Sequence, residues 1–198
     1  MKPVLEPIHQ NKKHTITAFR YDKEDFETPW HFHPQHELTF IEQSFGIKFI
    51  GDYVGNYQPG QLVLLRSNVP HCWKNHSVPN GCSKSIVVQW DRGIYNKIPE
   101  LESVFQLLRT ASKGIVFDNV DALKILPDLK KLLFLEGASL YIGLLELLSK
   151  LSRLKYSTLS DASFFNDIPS EFGTRMAKIH DFVETNYHRK IYLQELGA

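Results

Sequence analysis

The sequence predicts a mainly β protein with α, an antiparallel β-barrel or sandwich followed by a helical region. Three observations carry that reading. Up to about residue 92, short runs rich in Ile, Val, Thr, Phe and Tyr alternate with Gly, Pro and Asn. From residue 93 the apolar spacing lengthens to threes and fours, the helical period. The 198 residues are 42% hydrophobic and 23% charged, which excludes a disordered or collagen-like chain. A chain of this length buries about 70% of its unfolded surface, enough for a core without disulfide staples.

In the first half, residues 14–20, 37–43, 46–54, 61–66 and 84–91 read as strands. Turn chemistry separates them: Gly55-Asn56, Pro59-Gly60, Ser67-Asn68 and Pro79-Asn80-Gly81. Many short strands at close spacing indicate a sandwich or barrel. In the second half, Leu101, Val104, Phe105 and Leu108 define one helical face, and Ile115-Val116-Phe117 is a candidate extra strand. Asp118 or Asp121 can cap a helix running toward Leu135, with Pro127 either kinking it or starting its second half. The clearest helix spans residues 139–156, where Leu140, Leu144, Leu147, Leu151 and Leu154 alternate spacings of four and three. Residues 157–169 are polar and broken and read as a linker. A last amphipathic helix runs to Tyr187 with Met176, Ile179, Phe182 and Val183 on one side, and residues 193–198 read as the beginning of another.

Charge, cysteine and hydropathy patterns narrow the function classes. Lys+Arg 23 against Asp+Glu 22 gives a net charge of +1, so the whole chain is not a nucleic-acid clamp. No apolar leader and no span of about 18 uncharged apolar residues is visible, so a cytoplasmic protein without membrane partners is expected. Cys72 and Cys82 form no CxxC pair and read as reduced thiols, with a hairpin disulfide between them the less favoured alternative.

Nine histidines are many for this length, and the informative stretch is Trp30-His31-Phe32-His33-Pro34-Gln35-His36-Glu37. Successive side chains of an extended strand alternate faces, so His31, His33 and Glu37 share one face and His36 points the other way, provided Pro34 introduces no bulge. Imidazoles and a carboxylate converging inside a barrel suit iron, manganese, nickel or zinc, with His71 a fourth ligand from a second strand. The same side chains also suit the polar lining of a ligand pocket, with Trp73 as part of its wall.

These residues carry a family resemblance. His31-x-His33 followed after three residues by Glu37 resembles the first cupin motif. Gly60, Arg66, Asn68, His71 and Asn75 resemble the second, with Arg66 and Asn68 standing where that family usually has Pro and Gly. The resemblance implies a cupin-like antiparallel β-barrel, the double-stranded β-helix, over residues 1–92.

The run from His31 to Trp73 resembles the sensor domain of AraC-type transcriptional regulators, and the order of the later helices extends the likeness. The segment 176–187, followed by Ile191-Tyr192-Leu193-Gln194-Glu195-Leu196, is similar to the start of that family's helix-turn-helix domain. The resemblance implies a helical dimerisation region at 93–157, a linker at 158–169 and the truncated start of a DNA-binding domain at 170–198. It further implies a non-enzymatic regulator whose small effector, a sugar or small acid, sits in the barrel against His31, His33, Glu37, His71 and Trp73. A divalent transition metal there is a possible cofactor through the four His and Glu residues. DNA would be bound through the full-length protein only, and this chain alone is expected to bind it no better than non-specifically. A homodimer is expected, with Leu140, Leu144, Leu147, Leu151 and Leu154 as its seam. The alternative is a metal-dependent cupin enzyme, a dioxygenase or sugar isomerase, using the same four ligands with open positions for substrate.

Overall fold

The computed structural model describes residues 3–6, 14–76, 82–161 and 189–190. The last amphipathic helix, most of the linker and the helix-turn-helix-like residues therefore lie outside the described residues.

Two sheets face one another. The first contains β1 (Val4–Leu5), β3 (His31–Phe32), β5 (Gly46–Ile50), β6 (Tyr53–Tyr57) and β8 (His71–Asn75), in the order β1-β3-β8-β5-β6. The second contains β2 (Ile16–Lys23), β4 (His36–Gln43), β7 (Leu62–Leu65), β9 (Ser83–Trp90), β10 (Ile115–Phe117) and β11 (Tyr156–Thr158), in the order β11-β10-β7-β4-β9-β2. From β3 to β9 the chain passes repeatedly from one sheet to the other, the strand alternation of a double-stranded β-helix.

Period-2 alternation explains the packing of the second sheet. Leu38, Leu64 and Val88 lie opposite one another across β4, β7 and β9 and point outward, with Phe40, Ile86 and Trp90, into a cluster shared with the helices. Glu37, Leu65 and Gln89, one residue along, point inward toward the first sheet. Ile41, Val63 and Leu65 join Ile50, Tyr57 and Trp73 in the smaller inner cluster. All four residues of β7 are buried because both faces of its sheet are covered.

Three helices cover the outer face: α1 (Glu102–Thr110), α2 (Asn119–Leu132) and α3 (Gly137–Leu151). Asp118 caps α2, its carboxylate accepting from Val120 N at 2.9 Å. An Asp118→Ala chain is expected to lose about 1 kcal/mol in urea unfolding, the usual cost of such a cap. Pro127 lies within one helix instead of starting a second. Gly114 links α1 to β10 with a φ of +66°, where a side chain would also press on Ile50.

Two expectations about the elements need correction. Residues 46–54 do not form one strand: the chain turns at Gly51-Asp52 and returns as β6, with Ile50 opposite Tyr53. Gly51 takes a φ of +59°, which suits a two-residue hairpin. The leucine helix ends at Leu151, not Tyr156, and Tyr156 to Thr158 instead pair with Phe117 to Ile115.

The expected dimer seam is turned inward. Leu144, Leu147 and Leu151 are no more than 1% exposed and belong to the cluster under the helices, with Leu140 and Leu154 packed against it. The same four-three spacing arises when a helix buries its stripe in its own domain. The exposed side of α3 carries Tyr141 and Ile142 instead.

Candidate metal centre

The four predicted ligands converge between the two sheets, and all four are buried. His31 and His71 lie directly opposite one another on β3 and β8, their rings 4.2 Å apart. His33 sits just after β3, where the chain crosses to the other sheet; Glu37 enters from β4. The expected single strand from His31 to Glu37 is thus broken at Pro34, and the residues meet because the chain wraps around the interior. Asn68, in the left-handed region at a φ of +65°, donates its N–H to His33 O at 2.8 Å and ties the β7–β8 turn to this crossing.

The histidines are held by their backbone-facing nitrogens. Nδ1 of His31 is 2.8 Å from Pro29 O, Nδ1 of His33 is 3.2 Å from Gln35 O, and Nδ1 of His71 is 2.8 Å from Val69 O. A carbonyl can only accept, so each Nδ1 carries its hydrogen and each Nε2 is turned toward the cluster. One ring nitrogen from each histidine lies within 4.8 Å of the other two. Anchoring of one imidazole nitrogen to a carbonyl is the outer-shell arrangement that orients metal-binding histidines.

Glu37 faces them. Its Oε2 is 3.0 Å from His33 Nε2 and accepts from Gln89 Nε2 at 2.9 Å; its Oε1 accepts from Thr39 Oγ1 at 2.7 Å. Burial alone would push this carboxyl up, but the neighbouring His71 and His33 hold it well below the ordinary carboxylate range. Burial pushes His71 down, against the pull of Glu37. His71 Nε2 then faces Glu37 Oε1 at 3.6 Å, beyond hydrogen-bond length, and makes no hydrogen bond. A buried lone pair facing a buried carboxylate is satisfied by a cation placed between them. Three imidazole nitrogens and a carboxylate are a donor set for a borderline divalent ion such as zinc, nickel, iron or manganese. The residues present fit a metal.

Trp73 stands beside the cluster, its ring 5.6 Å from that of His71 and its buried Nε1 without a partner. His36 points away, as parity requires. Its ring lies 5.5 Å from that of Trp90, and its Nδ1 accepts from Ser67 N at 3.2 Å.

Sequence reasoning missed three participants. Thr39 and Gln89 hold Glu37, and Thr39 was legible as the next residue of the same parity. Glu6 places Oε2 3.2 Å from His31 Nε2. Burial would raise its carboxyl, but the bond to His31 and that residue's charge bring it below the usual range. Deeper between the sheets lies Lys48, 2% exposed, donating to Gln61 Oε1 at 2.7 Å and Asn56 O at 3.2 Å. Burial pushes its ammonium down to about 8.

The fold is therefore mainly β with α, a pair of facing sheets with helices on one outer face. No protein-family model matches the chain, and no curated protein matches it. Among solved structures it is similar to ToxT from Vibrio cholerae, at 11% identity and a TM-score of 0.44 over 92% of this chain and 68% of that one. A cupin 2 conserved barrel domain protein from Salinispora arenicola matches at 13% identity and a TM-score of 0.35, over 42% of this chain and 69% of that one. A putative mannose-6-phosphate isomerase from Ralstonia eutropha matches at 14% identity and 0.33, over 39% and 75%. Among the described residues, no helix is long and apolar enough to cross a membrane.

Proposed function

We propose that this chain is the sensing part of an AraC-type transcriptional regulator of the cytoplasm. Its effector is read by His31, His33, Glu37 and His71, and DNA is bound through the C-terminal segment of the full-length protein. The sequence resemblance supplies the class. The observation that supports a sensing role is the construction of β4. Glu37 and Thr39 face the cluster, while Leu38 and Phe40, between and beyond them, face the helices. Whatever the cluster holds acts on a strand whose other side packs against the helical layer.

The donor set favours a divalent transition-metal ion as the bound species. It would supply a fixed positive charge between His71 and Glu37, and the chain's own residues would orient the ligands through the three Nδ1 anchors. If two copies pair through α3, contact falls to the exposed Tyr141 and Ile142, since the buried leucines are committed to the core.

Transcript profiling of strains carrying the wild-type gene, a deletion or a His71→Ala allele tests the regulator reading. The deletion is expected to change a small set of transcripts, and His71→Ala is expected to fix that set in one state whatever metals the medium contains. A deletion that leaves transcripts unchanged while one metabolite accumulates overturns the reading. It would instead favour the metal-dependent enzyme, which the convergence of three histidine nitrogens also suits.

A further inference from the structure

One carboxylate contact to the cluster comes from outside both cupin-like motifs, that of Glu6. Its backbone is held in place: β1 runs parallel to β3, pairing Val4 with His31 and Leu5 with Phe32, and Glu6 N donates to Phe32 O at 2.9 Å. That pairing leaves Glu6 beside the cluster, with Oε2 3.2 Å from His31 Nε2. Glu37 contacts His33 and His71. Each of the three histidines therefore has a carboxylate against the nitrogen turned toward the cluster. Glu37 is almost wholly buried; the Glu6 side chain keeps about a third of its exposure, 36%, and so stands between the cluster and solvent. Glu6 and Glu37 bring two carboxylates against three imidazole nitrogens, a donor set that suits a divalent cation and not a neutral sugar.

We propose that Glu6 is an additional metal-ligand residue, carried by the first strand, that seals the solvent side of the cluster so that the metal ion itself is the sensed species. This rests on the reading that the cluster binds a divalent ion, and it specifies how. Catalytic metal sites keep a position open for water or substrate, whereas sites that only hold an ion are closed by protein ligands. A carboxylate on a two-residue strand also gives the ion a direct purchase on the N-terminal segment.

The probes are Mn(II), Co(II), Ni(II) and Zn(II), added to the metal-stripped full chain. Affinity is read by competition with a chelating dye, and bound water by the proton relaxivity of the Mn(II) complex. The wild type is expected to bind, with low relaxivity. Glu6→Ala is expected to keep the wild-type circular dichroism, to bind at least roughly tenfold more weakly, in the range typical of disturbed metal environments, and to raise the Mn(II) relaxivity as water enters. Glu6→Gln separates charge from space. It is expected to lose affinity with a smaller rise in relaxivity. Unchanged affinity and relaxivity in Glu6→Ala, or high relaxivity already in the wild type, overturns the role of Glu6 while leaving the metal site intact, provided His71→Ala abolishes binding. Failure of the wild type to bind any of the four ions overturns the metal reading itself, and this inference with it.

Discussion

A Leu151→Glu chain is expected to lose its folded structure and not merely to dissociate. Leu151 is fully buried in the cluster that joins α3 to the outer face of the second sheet. A carboxylate placed there has no partner, and an uncompensated buried charge costs about 3–5 kcal/mol. Loss of the leucine packing adds to that, against a total stability of about 5–15 kcal/mol for a domain. Circular dichroism and urea unfolding read the result, with Ile142→Glu as the control on the exposed side of the same helix. Ile142→Glu is expected to remain folded. A folded Leu151→Glu chain that sediments as a monomer, from a wild type that sediments as a dimer, would restore the leucine seam as an interface.

The second large effect is a loss of stability in mild acid. His36 is buried against Trp90, and burial, with the charges of Arg66, Arg92 and His33, pushes its pKa from 6.5 down to about 3. The unfolded chain takes up a proton near pH 6.5, while the folded chain resists until about pH 3. Between those values the unfolded state holds more protons, so stability falls as the pH falls and is fully present above 6.5. A difference of that size corresponds to a few kcal/mol, on the order of 5 at most. Glu37, held below its ordinary range, adds a loss of the same sign at still lower pH. His31 acts in the opposite sense: its pKa is raised, mainly by Glu6 acting against burial. Its contribution is present below 6.5 and lost as the pH rises through its folded value. Urea midpoints at pH 7, 5.5 and 4 are expected to fall steeply. His36→Gln, which retains an acceptor for Ser67 N, is expected to flatten the slope. A wild-type midpoint that holds steady down to pH 4 would show that His36 is not buried neutral.

Parity along one stretch of sequence placed His31, His33 and Glu37 together and sent His36 to the other side. That result survived even though the stretch is two strands in two sheets, since the fold brings the inward faces of both to one interior. His71 was legible through its spacing from Gly60 and Asn75. Glu6 was not, because a two-residue parallel strand has no period to detect and its partner lies 27 residues on. The leucine helix was legible as a helix but not in its orientation. Spacing reports that a stripe is apolar, and burial by the same chain or by a second copy leaves the same pattern. The hairpin at Gly51-Asp52 was hidden because Lys48, a charged residue, faces inward and blurs the alternation on either side of the turn.

The strand pairing also bears on the order in which this protein can be made. Trp90 lies opposite both Ile16 and His36, so until β9 has been synthesised β2 has no partner in its sheet and β4 has only β7. The far edge waits longer: β7 is covered by β10, and β10 in turn by β11 at Tyr156 to Thr158. Until then the nascent chain displays bare strand edges and the outward leucines of β4 and β7, features that invite pairing with other chains. Assembly is therefore a late event during translation. The helical layer, which follows most of the strands in sequence, is also what withdraws those surfaces from the crowded cell.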